Sequence, residues 1–284
     1  MWTSFLANSL TYDEGDDTFM STFGFIGMGN MGYAMLKGLL KTCNPSDIIF
    51  SCATDKKRVA VSEETGVKTA ASNAECANSA KYIILAVKPQ VYDTVIRNLE
   101  NVVTQDNVII SLSPSHTIEA LKEKFAKPVR IVRAMPNTPA LIGEAMTGVA
   151  YDAMEFSFDE RDVIDRFFKS FGTYRVVDEK LMNAVTCASG SSPAYVYMFI
   201  EAMADACVKH GMPRQAAYDF VAQTVVGAGE MVLKTKEHPG LLKDKVCSPG
   251  GTTIAGVAAL EEYGFRNSII KAVDACFDKC SGIK

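Results

Sequence analysis

The segment Val246-Cys247-Ser248-Pro249-Gly250-Gly251-Thr252-Thr253-Ile254-Ala255-Gly256 joins a turn without bulky side chains to an apolar run at helical spacing. Gly250 and Gly251 leave backbone amides uncovered, and Thr252 and Thr253 follow at the helix N-terminus. The first amides of a helix have no partner within it and carry partial positive charge, so this end can hold a small anion. A threonine hydroxyl beside that anion can reach a second polar atom of the same ligand. The same residues also fit a glycine turn with threonine caps and no ligand.

A second segment tips the balance toward a ligand. Gly27-Met28-Gly29-Asn30-Met31-Gly32 fits G-x-G-x-x-G. Thr22-Phe23-Gly24-Phe25-Ile26 before it reads as a short buried strand, and Tyr33 to Leu40 after it has apolar residues at helical spacing. Strand, glycine turn and helix in that order are what a dinucleotide-binding turn requires. Gly27 permits the tight turn, Gly29 lets a pyrophosphate approach the backbone, and Gly32 lets helix and strand pack closely. A glycine turn in some other α/β unit is the competing reading.

The next strand bears on which dinucleotide. Ile48-Ile49-Phe50-Ser51 ends it. An NAD-preferring site places Asp or Glu there, roughly 20 residues past the glycines, on the ribose 2′-hydroxyl. This chain has Phe50, Ser51 and Cys52 instead, with hydroxyls at Ser51 and Thr54 and positive charge at Lys56, Lys57 and Arg58. The pattern predicts NADPH over NADH, with NADH still possible as a substrate. Taken singly, each basic residue equally fits a solvated helix face.

Elements that position these turns alternate from Thr22 to about Val177. Tyr82 to Val87, Asn107 to Leu112, Val129 to Met135, Thr147 to Tyr151 and Thr173 to Val177 all read as strands, and Ser157-Phe158-Asp159-Glu160 is a capping box that starts a helix. Repeated alternation predicts a Rossmann-type doubly wound α/β sheet. Ligands of such sheets sit beyond the carboxyl ends of the strands. Lys88, Ser113 and the Pro136–Pro139 turn therefore face the cofactor.

Past Asp178 strand signals vanish. Ser192 can cap a helix with Pro193 at its first position, continued to His210; Gln215–Leu233, Thr253–Glu262 and Ile269–Cys280 follow. His210 precedes Gly211 and Pro213 and so ends its helix near the negative pole. The run Tyr195 to Ile200 is so apolar that this helical domain is expected to bury surface against another subunit. The expected domains are 1–19, a disordered extension; 20–178, dinucleotide-binding; and 179–284, helical, for substrate binding and dimerisation.

Bulk properties bound the rest. With 284 residues, 48% of them hydrophobic, the chain can bury a large core. The formal net charge of −4 resides in Asp13, Glu14, Asp16 and Asp17, since the first 19 residues hold no Lys or Arg. The remainder balances, which argues against nucleic acid as a partner. No apolar run reaches the roughly 18 residues of a membrane span, and Trp2 to Leu10 lacks the basic flank of a signal peptide. None of the eight cysteines forms a C-x-x-C pair, and no His/Cys set has zinc spacing. Reduced thiols, a cytoplasmic setting and no metal are expected. With only three histidines, His116, His210 and His238, a histidine-based mechanism has few candidates.

These motifs together resemble the pyrroline-5-carboxylate reductases. The resemblance runs from Phe23 to near the C-terminus and rests on GFIGMGNMG (24–32), AVKPQ (86–90), RAMPNTPA (133–140), SGSSPAYV (189–196), HPGLLKD (238–244) and SPGGTTI (248–254). It implies reduction of a cyclic imine acid by hydride from a nicotinamide, giving L-proline. It implies that Gly27, Met28, Gly29, Asn30 and Met31 bind the pyrophosphate, with Asn73, Ala86, Val87, Lys88 and Pro89 also touching the cofactor. It further implies that the substrate carboxylate rests on amides of Gly250, Gly251, Thr252 and Thr253, and that the Thr253 hydroxyl points at the imine nitrogen. An interlocked homodimer, often assembled into a ring of dimers, is implied as well. One segment departs: where the family usually has a small-residue run, this chain has Ser113-Pro114-Ser115-His116. Pro114 lacks an N–H and fixes φ, which puts any cofactor contact through that loop in doubt.

Two other functions compete. A β-hydroxyacid dehydrogenase shares the architecture, and Lys180-Leu181-Met182-Asn183 imitates its K-x-x-N, but SGSSPAYV and SPGGTTI do not belong there. A nucleotide-sensing protein without turnover would not need both motifs intact. The central expectation is that the early glycine elbow and the late Gly-Gly-Thr-Thr elbow, of one subunit or of two, converge in space so that a reduced nicotinamide faces an anchored ring.

Overall fold

The computed structural model describes residues 21–125 and 127–282, and the extension expected over 1–19 lies outside them. The chain divides into two compact units between Met182 and Asn183. Residues just past 178 stay with the first unit because Glu179 is anchored there: its Oε1 accepts from Ile118 N at 2.7 Å and pairs with Arg133 at 3.0 Å.

The first unit holds eight strands, β1 (Ser21–Ile26), β2 (Ile48–Ser51), β3 (Lys68–Thr69), β4 (Ala80–Leu85), β5 (Val108–Ser111), β6 (Arg130–Met135), β7 (Ala145–Ala150) and β8 (Gly172–Val176). Its helices are α1 (Asn30–Leu39), α2 (Asp55–Thr65), α3 (Asn73–Asn78), α4 (Tyr92–Leu99), α5 (Ile118–Phe125) and α6 (Phe158–Lys169). The sheet order is β3-β2-β1-β4-β5-β6-β7-β8. The first six strands are parallel in the order of a dinucleotide-binding sheet. β7 then runs antiparallel to β6, and β8 parallel to β7.

Alternate residues of each central strand feed two cores. Phe23, Phe25, Tyr82, Ile84, Val108, Ile110, Val132 and Ala134 pack on one face with α1 and α6. Ile26, Ile83, Leu85, Ile109 and Ile131 pack on the other with α3, α4 and α5. Strands buried on both faces read as continuous apolar runs, which is why they were legible. β3 was not foreseen: it is two residues long and exposed. α6 starts at the expected capping box, with Ser157 Oγ accepting from Glu160 N.

The second unit is all helix: α7 (Met182–Val185, beginning at the division), a π turn (Thr186–Gly190), α8 (Ser192–Lys209), α9 (Arg214–Thr235), α10 (Pro239–Val246), α11 (Thr252–Glu262) and α12 (Phe265–Cys280). The expected Ser192 cap is corrected. The π turn runs straight into α8, so Ser192 lies inside the helical run and its hydroxyl donates back to Ala188 O at 2.7 Å. α10 was missed, and α12 begins four residues before the expected Ile269. His210 caps α8 with Gly211 left-handed behind it, as expected. From Asn183 onward only Cys187, Ala204, Ala217 and Val221 are buried among the described residues. Tyr197, Met198, Phe220, Met231, Leu233 and Phe277 are exposed. A helical layer this apolar leaves the surface that an obligate interface covers. Among the described residues no helix is long and apolar enough to cross a membrane.

Candidate active site

The register of the parallel strands brings the predicted cofactor residues to one edge. Ser51, Ile26, Leu85, Ser111 and Arg133 are successive cross-strand partners. The turns that follow them are therefore neighbours: Gly27–Met31 after β1, Cys52–Thr54 after β2, Ala86–Pro89 after β4, and Ser113 after β5. Backbone bonds lock the edge, Gly27 N donating to Ser51 O and Ala86 N to Ile26 O.

The three glycines are required for different reasons. Gly27 has φ +96°, and a Cβ there would lie 2.6 Å from Val87 Cγ1 and 2.8 Å from Ala86 O. A Cβ on Gly32 would lie 2.5 Å from Gly27 O. Gly29 is the opposite case: nothing stands within 4 Å of the position its Cβ would take. It is also the N-cap of α1, with no side-chain cap and no acidic residue in the first turn. Open space over uncapped helical amides fits a pyrophosphate. Met28 is 2% exposed, so only its backbone can meet a ligand. Asn30 and Lys88 are exposed, and Met31, Ala86, Val87 and Pro89 are half-buried.

Ser51 and Asn73 are brought together, but on each other. The Ser51 hydroxyl is buried and donates to Asn73 Oδ1 at 2.7 Å. What remains open past β2 is the N-terminus of α2, where the N-cap Thr54 makes no side-chain cap. Lys56 is exposed there, while Arg58 is paired with Asp55 at 2.7 Å.

The departing loop after β5 is held by residues that sequence reasoning missed. Tyr92, fully buried, donates to Leu85 O at 2.8 Å and accepts from Leu112 N at 3.1 Å. Burial pushes its phenol up to about 12, so it stays a donor. Its ring stacks on His116, centroids 5.0 Å apart. His116 Nδ1 meets Ser113 Oγ at 2.7 Å. Ser113 is 1% exposed, so its hydroxyl is committed to this network. Burial lowers the His116 pKa, and the neighbouring Lys124 and Arg133 charges add to that while Asp93 opposes it. Buried Arg133 reaches from β6 to donate to Pro114 O at 2.7 Å while pairing with Glu179. A second arginine, Arg133, among the apolar residues that follow Arg130 in β6 was the one available signal.

In the second unit, Gly250 has φ +68° and Gly251 is the N-cap of α11, reached by a turn in which Gly251 N donates to Ser248 O. A Cβ on Gly251 would lie 2.6 Å from Ser248 Oγ. The threonine-cap reading therefore fails: the cap has no side chain, and Thr252 and Thr253 occupy the first turn. That turn holds no acidic residue, Thr252 is exposed and Thr253 half-buried. The geometry is that of an unblocked anion seat with two hydroxyls beside it.

Residues 179–283 match the family model for pyrroline-5-carboxylate reductase dimerisation, and residues 22–115 match that of the coenzyme F420-dependent NADP oxidoreductases. A pyrroline-5-carboxylate reductase from Escherichia coli K12 is 45% identical over 258 residues, 90% of this chain and 96% of that protein. The chain belongs to the pyrroline-5-carboxylate reductase family. Solved structures agree. The pyrroline carboxylate reductase of Plasmodium falciparum, solved with NADP bound, is 31% identical with a TM-score of 0.83, covering 93% of this chain and 98% of that one. The enzyme from Coxiella burnetii is 30% identical with a TM-score of 0.84, covering 93% and 99%. The dehydrogenase-like Lys180 is explained without chemistry, being exposed and paired with Asp178 at 2.7 Å.

Proposed function

We infer that this protein reduces 1-pyrroline-5-carboxylate to L-proline with hydride from NAD(P)H, the last step of proline biosynthesis. The observation that carries the reading is the pair of unblocked helix starts, one behind Gly29 and one behind Gly251, in a member of this family. The reduced nicotinamide, when bound, supplies the hydride. The chain supplies position.

Gly29, Asn30 and Met31 bind the pyrophosphate through backbone amides, Met28 takes part through its backbone alone, and Gly27, whose N–H is taken by Ser51 O, shapes the turn. Ala86 to Pro89 form the adjoining wall. Asn73 and Ser51 act as a pair that fixes the rim of the ribose pocket, and Ser113 shapes it through the His116–Tyr92 network. NADPH is the preferred form: β2 itself ends on Ser51 rather than on a carboxylate, the one acid of the α2 first turn, Asp55, is held by Arg58, and the uncapped start of α2, with Thr54 and Lys56, receives the 2′-phosphate.

The amides of Gly250, Thr252 and Thr253 bind the substrate carboxylate, Gly251 N being held by Ser248 O within the turn, and Thr253 is the catalytic residue. Hydride adds to the imine carbon, the C=N π pair moves to nitrogen, and the nitrogen keeps or takes one proton. The Thr253 hydroxyl hydrogen-bonds that nitrogen and holds the ring in near-attack geometry. No general acid is needed for an imine already protonated in solution. The exposed apolar helices of the second unit form a homodimer, further assembled as a ring of dimers, in the cytoplasm.

The test is loss of NADPH absorbance on adding pyrroline-5-carboxylate, repeated with NADH and with a β-hydroxyacid plus NADP⁺. Turnover with the imine, greater with NADPH, supports the reading. Turnover only with the hydroxyacid rejects it, and a clear NADH preference rejects the cofactor assignment alone.

A further inference from the structure

Three sulfurs from two distant stretches of sequence meet inside the second unit. Cys187 lies in the π turn, where Ser191 N donates to Thr186 O at 2.8 Å, and it is 2% exposed. Such widened turns occur often at functional sites. Cys276 and Cys280 are four residues apart on α12, so both project from one helix face. α12 packs on the π turn. The three Sγ atoms all lie within 4.8 Å of one another. Among the described residues no other set of three His, Cys, Asp or Glu side chains converges this way.

We propose that Cys187, Cys276 and Cys280 form a binding site for a thiophilic d¹⁰ divalent cation of the zinc class. Zinc–sulfur bonds of about 2.3 Å set tetrahedral sulfurs roughly 3.8 Å apart. The sulfurs need move by about an ångström or less to reach that spacing, a rotamer adjustment rather than a backbone one. Oxidation explains the arrangement less well. Cβ atoms four apart on a helix are about 5–6 Å apart, and a disulfide needs roughly 3.5–4.5 Å. Cys187 can pair with only one of the two, which leaves the third sulfur without a purpose.

The surroundings complete a site. Ser191 Oγ accepts from Cys276 Sγ at 3.4 Å, so a hydroxyl or a water beside it can fill the fourth position. A groove lined by Cys187, Ala188, Lys271, Asp274 and Asp278 opens beside the cluster at Cys187. Asp278 draws a cation inward, while Asp274 is paired with Lys271 at 3.7 Å. Bound metal would staple the start of α8 to α12, acting on stability rather than chemistry. Sequence spacing gave no zinc pattern because 89 residues separate Cys187 from Cys276 and only the fold closes that gap.

The test uses the full chain, reduced with a non-thiol reductant and stripped of metal, titrated with Co²⁺ and then Zn²⁺. The proposal expects one Co²⁺ per chain, thiolate-to-cobalt charge transfer in the near ultraviolet with tetrahedral d–d bands, and displacement by Zn²⁺. Cys276→Ser and Cys187→Ser each lose part of the charge-transfer band and weaken binding by at least about tenfold, since even outer-shell changes cost that much. Cys207→Ser, outside the cluster, behaves as wild type. Wild-type protein without the band overturns the proposal, whether or not it forms a Cys187–Cys276 disulfide in air. So does a band unchanged in folded Cys276→Ser protein.

Discussion

Substituting each glycine of the Gly27–Gly32 turn by alanine separates support from binding. Gly29 has φ −71° and ψ −172°, which alanine adopts freely, and no atom within 4 Å of its Cβ position. Losing a favourable N-cap costs on the order of 1 kcal/mol, and the stiffer unfolded chain returns about 0.4–1. Folding stability therefore stays within about 1 kcal/mol of wild type. The new methyl group occupies the space over the α1 amides and removes at least one charge-assisted hydrogen bond to pyrophosphate, about 1.5–3 kcal/mol. At roughly 1.4 kcal/mol per decade, NADPH affinity falls by about 10- to 150-fold. Gly32→Ala forces a Cβ to 2.5 Å from Gly27 O, a backbone atom that cannot step aside. It costs about 1–3 kcal/mol of stability, or roughly 2–12 °C in Tm. Gly27→Ala adds a left-handed backbone penalty of roughly 1–2 kcal/mol to its own clash. Thermal unfolding without ligand, paired with NADPH titration by fluorescence, reads both quantities. Unchanged NADPH affinity in Gly29→Ala, or a Tm loss as large as that of Gly32→Ala, refutes the assignment of roles.

Thr253→Ala lowers kcat by roughly 10- to 1000-fold, the scale of one transition-state hydrogen bond, and leaves the unfolding transition in place; steady-state kinetics check it. Burial alone would raise the Glu160 pKa, but the Ser157 amide, Arg130 and Lys81 outweigh it and hold the carboxyl at about 2. Its stabilisation is complete above the unfolded carboxylate pKa of about 4.3 and is lost as pH falls toward 2; Glu160→Gln costs roughly 2–3 kcal/mol at neutral pH and flattens that acid limb in calorimetry. His116 has its pKa lowered on folding, so its contribution is present above about pH 6.5 and declines as pH falls below that; His116→Asn removes the corresponding slope of Tm against pH.

Much of this was legible because burial on two faces writes itself as uninterrupted runs such as Tyr82–Val87, and because glycine turns are read by what they permit. The misses have two causes: some depend on partners far away in sequence, and others on local side-chain bonds or turn types that residue identity does not announce. Ser192 looked like a cap because nothing local announces the π turn before it. Lys68–Thr69 pairs beside β2 without any apolar signature. Ser51 and Ser113 offered hydroxyls that Asn73 and His116 had already taken. Glu179 belongs to the sheet unit through Arg133 and Ile118, contacts spanning 46 and 61 residues. The helix start behind Gly251 was legible, since a glycine turn followed by an apolar run at helical spacing marks it locally.

Reaction with NADPH carrying deuterium at the transferable position of the nicotinamide C4 tests the account most directly. Hydride transfer to the imine carbon predicts L-proline with one deuterium at ring carbon 5, formed mole for mole with the NADPH consumed, read by mass spectrometry and NMR. Proline without that label, or NADPH consumption independent of the imine, would contradict it.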